Sequence, residues 1–218
     1  MKQLVMMTLS VVLVGVGIAH AQTPSTTASR GVAYGEVTFG PTFGNTSGGS
    51  GGAEAGYFLK FFGLGVVAEA GRISNVATSQ TQDKAAKIAG AIGGTYQAKQ
   101  PVKYFDAGFV KQFSTFHRAT PYVLVGFGAA TVSNNVSFSV AGADVTGKLS
   151  QLGVQLGGDL AGSYTTVFVT AGAGAHMPLW GRWFGDLSYR FGSVGKDTPS
   201  ESHAISTNRL QFGVGTRF

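Results

Sequence analysis

Cysteine is absent from all 218 residues, which excludes disulfide cross-links, zinc–thiolate centres and an acylated-cysteine anchor. Charge is sparse as well: 12% of residues are Asp, Glu, Lys or Arg, and the formal net charge is +6. The basic residues form no stripe interleaved with exposed aromatics, so nucleic acid is not an expected partner. Glycine is plentiful at 34 residues but follows no collagen-like period. Its densest run, Gly48 to Gly52, has neither a following Lys-Ser/Thr nor a helix start, which rules out a phosphate-cradling loop.

The longest apolar run, Leu4 to Ile18, follows Met1-Lys2-Gln3 and ends at Ala19-His20-Ala21. A positive start, a short apolar stretch and an A-x-A pattern predict a cleaved secretory signal peptide over residues 1–21; a retained membrane helix is the weaker reading. Its removal with Lys2 takes the net charge from +6 to +5. A short Thr/Ser-rich lead (22–30) then precedes a single domain, 31–218, since roughly two hundred residues hold one β domain and no second folded unit.

That domain alternates. From Thr207 to Phe218, Leu210, Phe212, Val214, Thr216 and Phe218 share one face of an extended strand, while Arg209, Gln211, Gly213, Gly215 and Arg217 share the other. An apolar outer face, a polar inner face and a terminal aromatic are what the closing strand of a membrane barrel requires. Seven further segments of about ten residues carry the same pattern: Val32 to Gly40, Ala53 to Phe61, Leu64 to Gly71, Val102 to Phe113, Pro121 to Thr131, Thr166 to Met177 and Trp183 to Ser193. Outward positions include Val37, Phe39, Tyr57, Val66, Phe105, Phe109, Val125, Phe127, Val169 and Tyr189. The expected fold is therefore all-β: an antiparallel, up-and-down transmembrane barrel of eight strands. Its last strand should pair with its first.

The connections support this reading by alternating in length. Pro41–Gly52, Ser74–Pro101, Asn134–Thr165 and Val194–Ser206 are medium to long, whereas the intervening turns are short, as expected of surface loops and periplasmic turns respectively. Pro41–Gly52 is read as a flexible loop from its Gly/Ser content. Phe61, Phe62, Phe113, Phe116, Tyr122, Trp180, Trp183 and Phe218 gather beside the short turns as an interfacial girdle. Leu149 to Asp159 also alternates, and pairing it with Val136 to Val140 would give ten strands; a hairpin above the membrane keeps the count at eight. Gln82 to Ile92 could form a short helix.

Pro121-Tyr122-Val123-Leu124-Val125-Gly126-Phe127-Gly128, the Leu187-Ser188-Tyr189-Arg190-Phe191 strand and the Leu210–Phe218 ending together resemble the eight-stranded outer-membrane barrels, the OmpA transmembrane domain, OmpX and opacity-protein porin-like group. The resemblance covers essentially the mature chain. It implies a location in the bacterial outer membrane and insertion by the barrel-assembly machinery, with Leu210, Phe212, Val214 and Phe218 as the assembly signal. It implies no single activity.

Chemistry, if any, lies inside. Glu36, Glu54, Lys60, Glu69, Asp106, Asp186, Arg190, Arg209 and Arg217 are all in phase with the inward face, and Arg209 is expected to face Glu36. The set reads either as a salt-bridged plug or as an ion path lined by both signs. Among the histidines, His117 and His176 fall near the periplasmic end. His203, with Glu201, Ser202 and Ser206, resembles the His/Ser pair of lipid A deacylase barrels, but a spacing of three puts His203 and Ser206 on opposite faces of a strand. No metal-ligand cluster is readable, and no cofactor is expected. Lys84, Lys87 and Lys99 lie in the second surface loop, where lipopolysaccharide phosphates are candidate partners alongside outer-membrane lipid. The expected role is a monomeric structural or surface-interaction protein working through Asn75–Gln100 and Asn134–Tyr164. The alternative readings are a narrow solute channel and a lipid-modifying enzyme.

Overall fold

The computed structural model describes residues 31–44, 46–59, 62–158, 160–195 and 204–218. The expected signal peptide, Lys60, Phe61 and the Glu201-Ser202-His203 segment lie outside them. The elements run β1 (Val32–Gly44), β2 (Gly48–Phe58), β3 (Leu64–Ile73), α1 (Ser79–Ala91), β4 (Thr95–Lys99), β5 (Val102–Gln112), β6 (Thr120–Val140), β7 (Ala143–Asp144), a 3₁₀ helix (Thr146–Leu152), β8 (Ala161–Pro178), β9 (Trp183–Val194) and β10 (Ile205–Arg217). Eight of these strands close a ring, β1-β2-β3-β5-β6-β8-β9-β10 and back to β1, each pair antiparallel. The two extra strands, β4 and β7, attach to the upper part of β6. Among the described residues no helix is long and apolar enough to cross a membrane.

Alternation decides which way each side chain points. Val37, Phe39, Val66, Phe105, Phe109, Val125, Phe127 and Tyr189 stand exposed on the outer wall, whereas Tyr34, Glu36, Glu54, Glu69, Tyr104, Asp106 and Arg190 are buried within. On β5 the outer face below the exposed Lys103 carries Phe105, Ala107, Phe109 and Phe113, interrupted by half-buried Lys111, whose ammonium donates to the Phe62 carbonyl beside the aromatic end. Ten residue steps from Lys103 to Phe113 measure roughly 33 Å along the strand, or roughly 25 Å of height at the usual barrel tilt, the thickness of an outer-membrane apolar band. Phe62, Phe113, Phe116, Trp180, Trp183 and Phe218 crowd the opposite end as expected of the girdle. Tyr122 does not join them. It is 2% exposed and points inward, donating its hydroxyl to Asp186 Oδ1 at 3.0 Å.

Two further sequence expectations are corrected. Pro41–Gly52 is not a loop: β1 runs to Gly44 and β2 starts at Gly48, with Gly40↔Ser50, Pro41↔Gly49 and Thr42↔Gly48 in register. Ladder hydrogen bonds belong to the backbone, so a side-chain-poor segment pairs as well as any. Gly40 is also required there, because a Cβ would sit 1.9 Å from the Leu210 carbonyl oxygen. Pro41 falls where the β1–β10 register skips from Phe39 to Thr42, so its missing N–H costs no bond.

The described part of Leu149–Asp159, through Gly158, is not a strand either. Thr146–Leu152 forms a 3₁₀ helix, closed by Gly153 at φ +75°, which buries Leu149 against a small core with Ala85, Ala89, Val136, Phe138 and Leu160. Val136–Val140 pairs instead with β4 and β7. The second surface loop likewise carries structure. Thr78 caps α1 by accepting the Thr81 N–H, Thr81, Ala85 and Ala89 line the buried face, and Gly93 and Gly94 close a Schellman end on Gly90 and Ala89. The expected helix is thus present, starting three residues earlier than Gln82.

Candidate functional site

The barrel interior is layered. At the outer end Ile73, Val102, Ala130, Val132, Phe168, Val194 and Ile205 pack together; toward the periplasmic end Tyr34, Phe58, Val67, Val110, Tyr122, Leu124 and Phe184 do the same. Between them lies the charge.

Register, which the sequence does not display, places Glu36, Glu54, Glu69 and Asp106 directly opposite one another on β1, β2, β3 and β5. Like charges in adjacent cross-strand positions repel. The compensation comes from the far wall, where Arg190 and Arg209 are themselves neighbours on β9 and β10. Arg190 spans the lumen with both terminal nitrogens, Nη2 to Glu54 at 2.8 Å and Nη1 to Glu69 at 3.3 Å. Arg209 Nη1 meets Glu69 at 3.0 Å and also donates to the Tyr104 hydroxyl. The tyrosines complete the carboxylates: Tyr34 donates to Glu54 at 2.6 Å and Tyr104 to Glu69 at 2.5 Å. Small inner residues make room, since a Cβ on Gly172 would lie 2.6 Å from Arg190 Cδ.

Two predicted members depart from expectation. Arg209 does not face Glu36, because the register sets Glu36 opposite Gly215 and Arg209 reaches Glu69 instead. Arg217 is half-buried at the periplasmic end, its guanidinium 5.2 Å from the Phe184 ring centre, and no ion pair among the described residues joins it to the network. Glu36 sits lower, beside Asp186 and His176. His176 Nε2 is 3.7 Å from Asp186 Oδ1 and 4.0 Å from Glu36 Oε2, with all three side chains within 2% of complete burial. Sequence reading passed over His176. The signal was there, since His176 is in phase with inward Thr170, Gly172 and Gly174, and a tight turn returns the chain to place Asp186 opposite it.

Above the barrel, a polar clasp joins the two structured loops to the rim. Gln100, 1% exposed, donates from Nε2 to Asn134 Oδ1 at 2.8 Å and accepts the Thr78 N–H at 3.0 Å. Asn75 Oδ1 accepts the N–H groups of Ala77 and Gln100, and Asn134 Nδ2 donates to the Gly158 carbonyl. Farther out, hydrogen bonds from the Thr146 hydroxyl and amide hold the Asp144 carboxyl below its ordinary pKa. Gln100→Ala leaves two clasp partners unsatisfied and should cost about 1–3 kcal/mol of local stability. Limited proteolysis should then cut within 75–100 and 134–164 while the barrel itself stays intact.

The sequence matches the outer membrane protein beta-barrel domain family over residues 7–218. The chain belongs to this family. Among solved structures, Neisserial surface protein A is 14% identical with a TM-score of 0.53, and the match covers 86% of this chain and 97% of that one. A major outer membrane protein from Thermus thermophilus matches at 14% identity and a TM-score of 0.50, over 85% and 99% of the two chains. At such identities the likeness is one of fold. No curated protein sequence matches this family member significantly.

Proposed function

We propose that this outer-membrane barrel is a surface-interaction protein: a closed, non-enzymatic, monomeric cylinder that carries a folded head on the outside of the cell. The observation behind this reading is the head's own core. Ala85, Ala89, Val136, Phe138, Leu149 and Leu160 are buried above the barrel, where a loop serving only as a connection needs no packing. Among the described residues β4 pairs only with β6, leaving an edge strand, and a groove of about 380 Å³ lies between Gln97, Asn135, Leu156 and Gly162.

The filled interior supports a non-conducting barrel. Arg190, Arg209, Glu54 and Glu69 are at most 4% exposed, and apolar layers close over them on both sides. Exposed Arg72 and Lys103 stand directly opposite each other on the outer wall, a like-charge pair that an anion would relieve. With Lys84, Lys87 and Lys99 of the head, they suit lipopolysaccharide phosphates. Outward Phe212 and Val214, with half-buried Leu210 and exposed Phe218, form the edge offered to the insertion machinery.

Cells displaying the full-length protein should adhere to protein- or glycan-coated surfaces, and replacing 75–100 and 134–164 with short turns should abolish that adherence without loss of the folded barrel. Adherence that survives both replacements overturns the surface reading. In planar bilayers the purified protein should be silent; a steady single-channel current would establish the channel reading in its place, and lipid-A deacylation by purified protein the enzymatic one.

A further inference from the structure

The charges of the lumen do not balance. Five carboxylates are buried among the described residues, against the fully buried guanidiniums of Arg190 and Arg209. Those two arginines are spent on Glu54 and Glu69. Both oxygens of Glu36, Oδ2 of Asp186 and Nε2 of His176 are buried and have no hydrogen-bond partner among the described residues. Leaving such groups unpaired is costly in a low-dielectric interior. One nitrogen and two carboxylates, with ligand atoms all within 4.8 Å of one another, converge on a common point.

We propose that Glu36, His176 and Asp186 bind a divalent transition-metal cation of the zinc type near the periplasmic end of the barrel. An imidazole with two carboxylates is a borderline-soft donor set of a kind that holds zinc, and three protein ligands leave a fourth position for water. Zinc–ligand bonds of about 2.0–2.2 Å set tetrahedral ligands about 3.4 Å apart. The 3.7 Å and 4.0 Å separations from His176 therefore need only a few tenths of an ångström of closure, and the two carboxylate oxygens, within 4.8 Å of each other, need a larger shift that side-chain rotation supplies. The ion's two positive charges offset the Glu36 and Asp186 carboxylates, which leaves Asp106 as the one uncompensated carboxylate among the five.

The second shell suits a metal-bound histidine. Gln112 lies 3.1 Å from His176 Nδ1, and a half-turn of its amide lets Oε1 accept Nδ1–H, freeing the Nε2 lone pair for the ion. Phe184 and Tyr122, with ring centres 4.5 Å and 4.8 Å from the imidazole, hold the ring in place. Access is from the periplasm. A depression of about 760 Å³ reaches in to Gln112, Phe58 and Arg217 at that end. A hard cation such as magnesium, which demands near-octahedral oxygen coordination, fits poorly.

The test is a Zn²⁺ titration of the refolded barrel in detergent, followed calorimetrically, with Co²⁺ as an optical probe. One Zn²⁺ per chain is expected, unaffected by millimolar Mg²⁺, with a Co²⁺ visible band of tetrahedral intensity. His176→Ala and the double variant Glu36→Gln/Asp186→Asn should each bind at least about tenfold more weakly, while His117→Ala should match the wild type. Folding is checked for each by heat-modifiable gel migration; should His176→Ala fail to refold, the near-isosteric double variant carries the comparison. A wild-type barrel that takes up no stoichiometric Zn²⁺, or a folded pocket variant that binds as tightly as wild type, overturns the site.

Discussion

Arg190→Ala should lower the unfolding free energy of the barrel by about 3–5 kcal/mol, because it strands Glu54 as a buried carboxylate without a cation and leaves Glu69, directly opposite it, to Arg209 alone. Urea titration in lipid vesicles, read from Trp180 and Trp183 fluorescence, measures it. Arg190→Lys should recover only part of the loss, since a single ammonium cannot reproduce the two-nitrogen span from Glu54 to Glu69. Replacing the unit as a whole, Arg190→Met with Glu54→Gln and Glu69→Gln, should recover more than lysine does. It removes the stranded charges, although Arg209 then loses its partner Glu69 and the recovery stays incomplete. A loss below about 1 kcal/mol in Arg190→Ala would mean that water reaches Glu54 and Glu69, and with it a wet path through the lumen.

That network was half legible in the sequence. Period-two alternation assigns Glu36, Glu54, Glu69, Asp106, Asp186, Arg190 and Arg209 to the inner face, and all are buried there. Alternation gives the face but not the height, and height decides partners. A ring of tilted strands fixes height by register, so the four carboxylates of β1, β2, β3 and β5 fall into one row and Arg209 meets Glu69 instead of Glu36. The same limit hid the grouping of His176 with Glu36, which joins residues 140 positions apart through three successive registers.

Composition misled in two places for different reasons. In Pro41–Gly52 the scarcity of side chains reads as a loop, yet backbone pairing and tight approach to Leu210 and Ser74 are what those glycines permit. In Leu149–Asp159 the alternation of Leu and Val with Gln and Gly is real, but the apolar residues answer to a different partner. Leu149, Val154 and Leu156 pack on α1 and β6 of the head, where a tight helical turn covers more apolar surface than a lone hairpin arm above the membrane. Tertiary packing overrides a short alternating run whenever a ready apolar face lies beside it.

Phe127→Arg tests the outer wall as Arg190→Ala tests the lumen, and should cost about 2–4 kcal/mol in a lipid bilayer. Phe127 is 64% exposed midway along the membrane part of β6, in register with Ala107 on β5 and Val169 on β8, so neither neighbour supplies a counter-charge. In a bilayer its exposure is contact with acyl chains, and a guanidinium there must be dehydrated or drag water inward. Phe43→Arg is the matched control, since Phe43 is also exposed but lies at the outer end of β1 beside Asn208, where an arginine reaches headgroups at a cost of about 0–1 kcal/mol. The difference between the two should shrink in detergent micelles, whose apolar region thins and deforms around a charge. Equal costs at both positions would place Phe127 outside the apolar band, and would move the membrane boundaries drawn from Lys103 and the aromatic girdle.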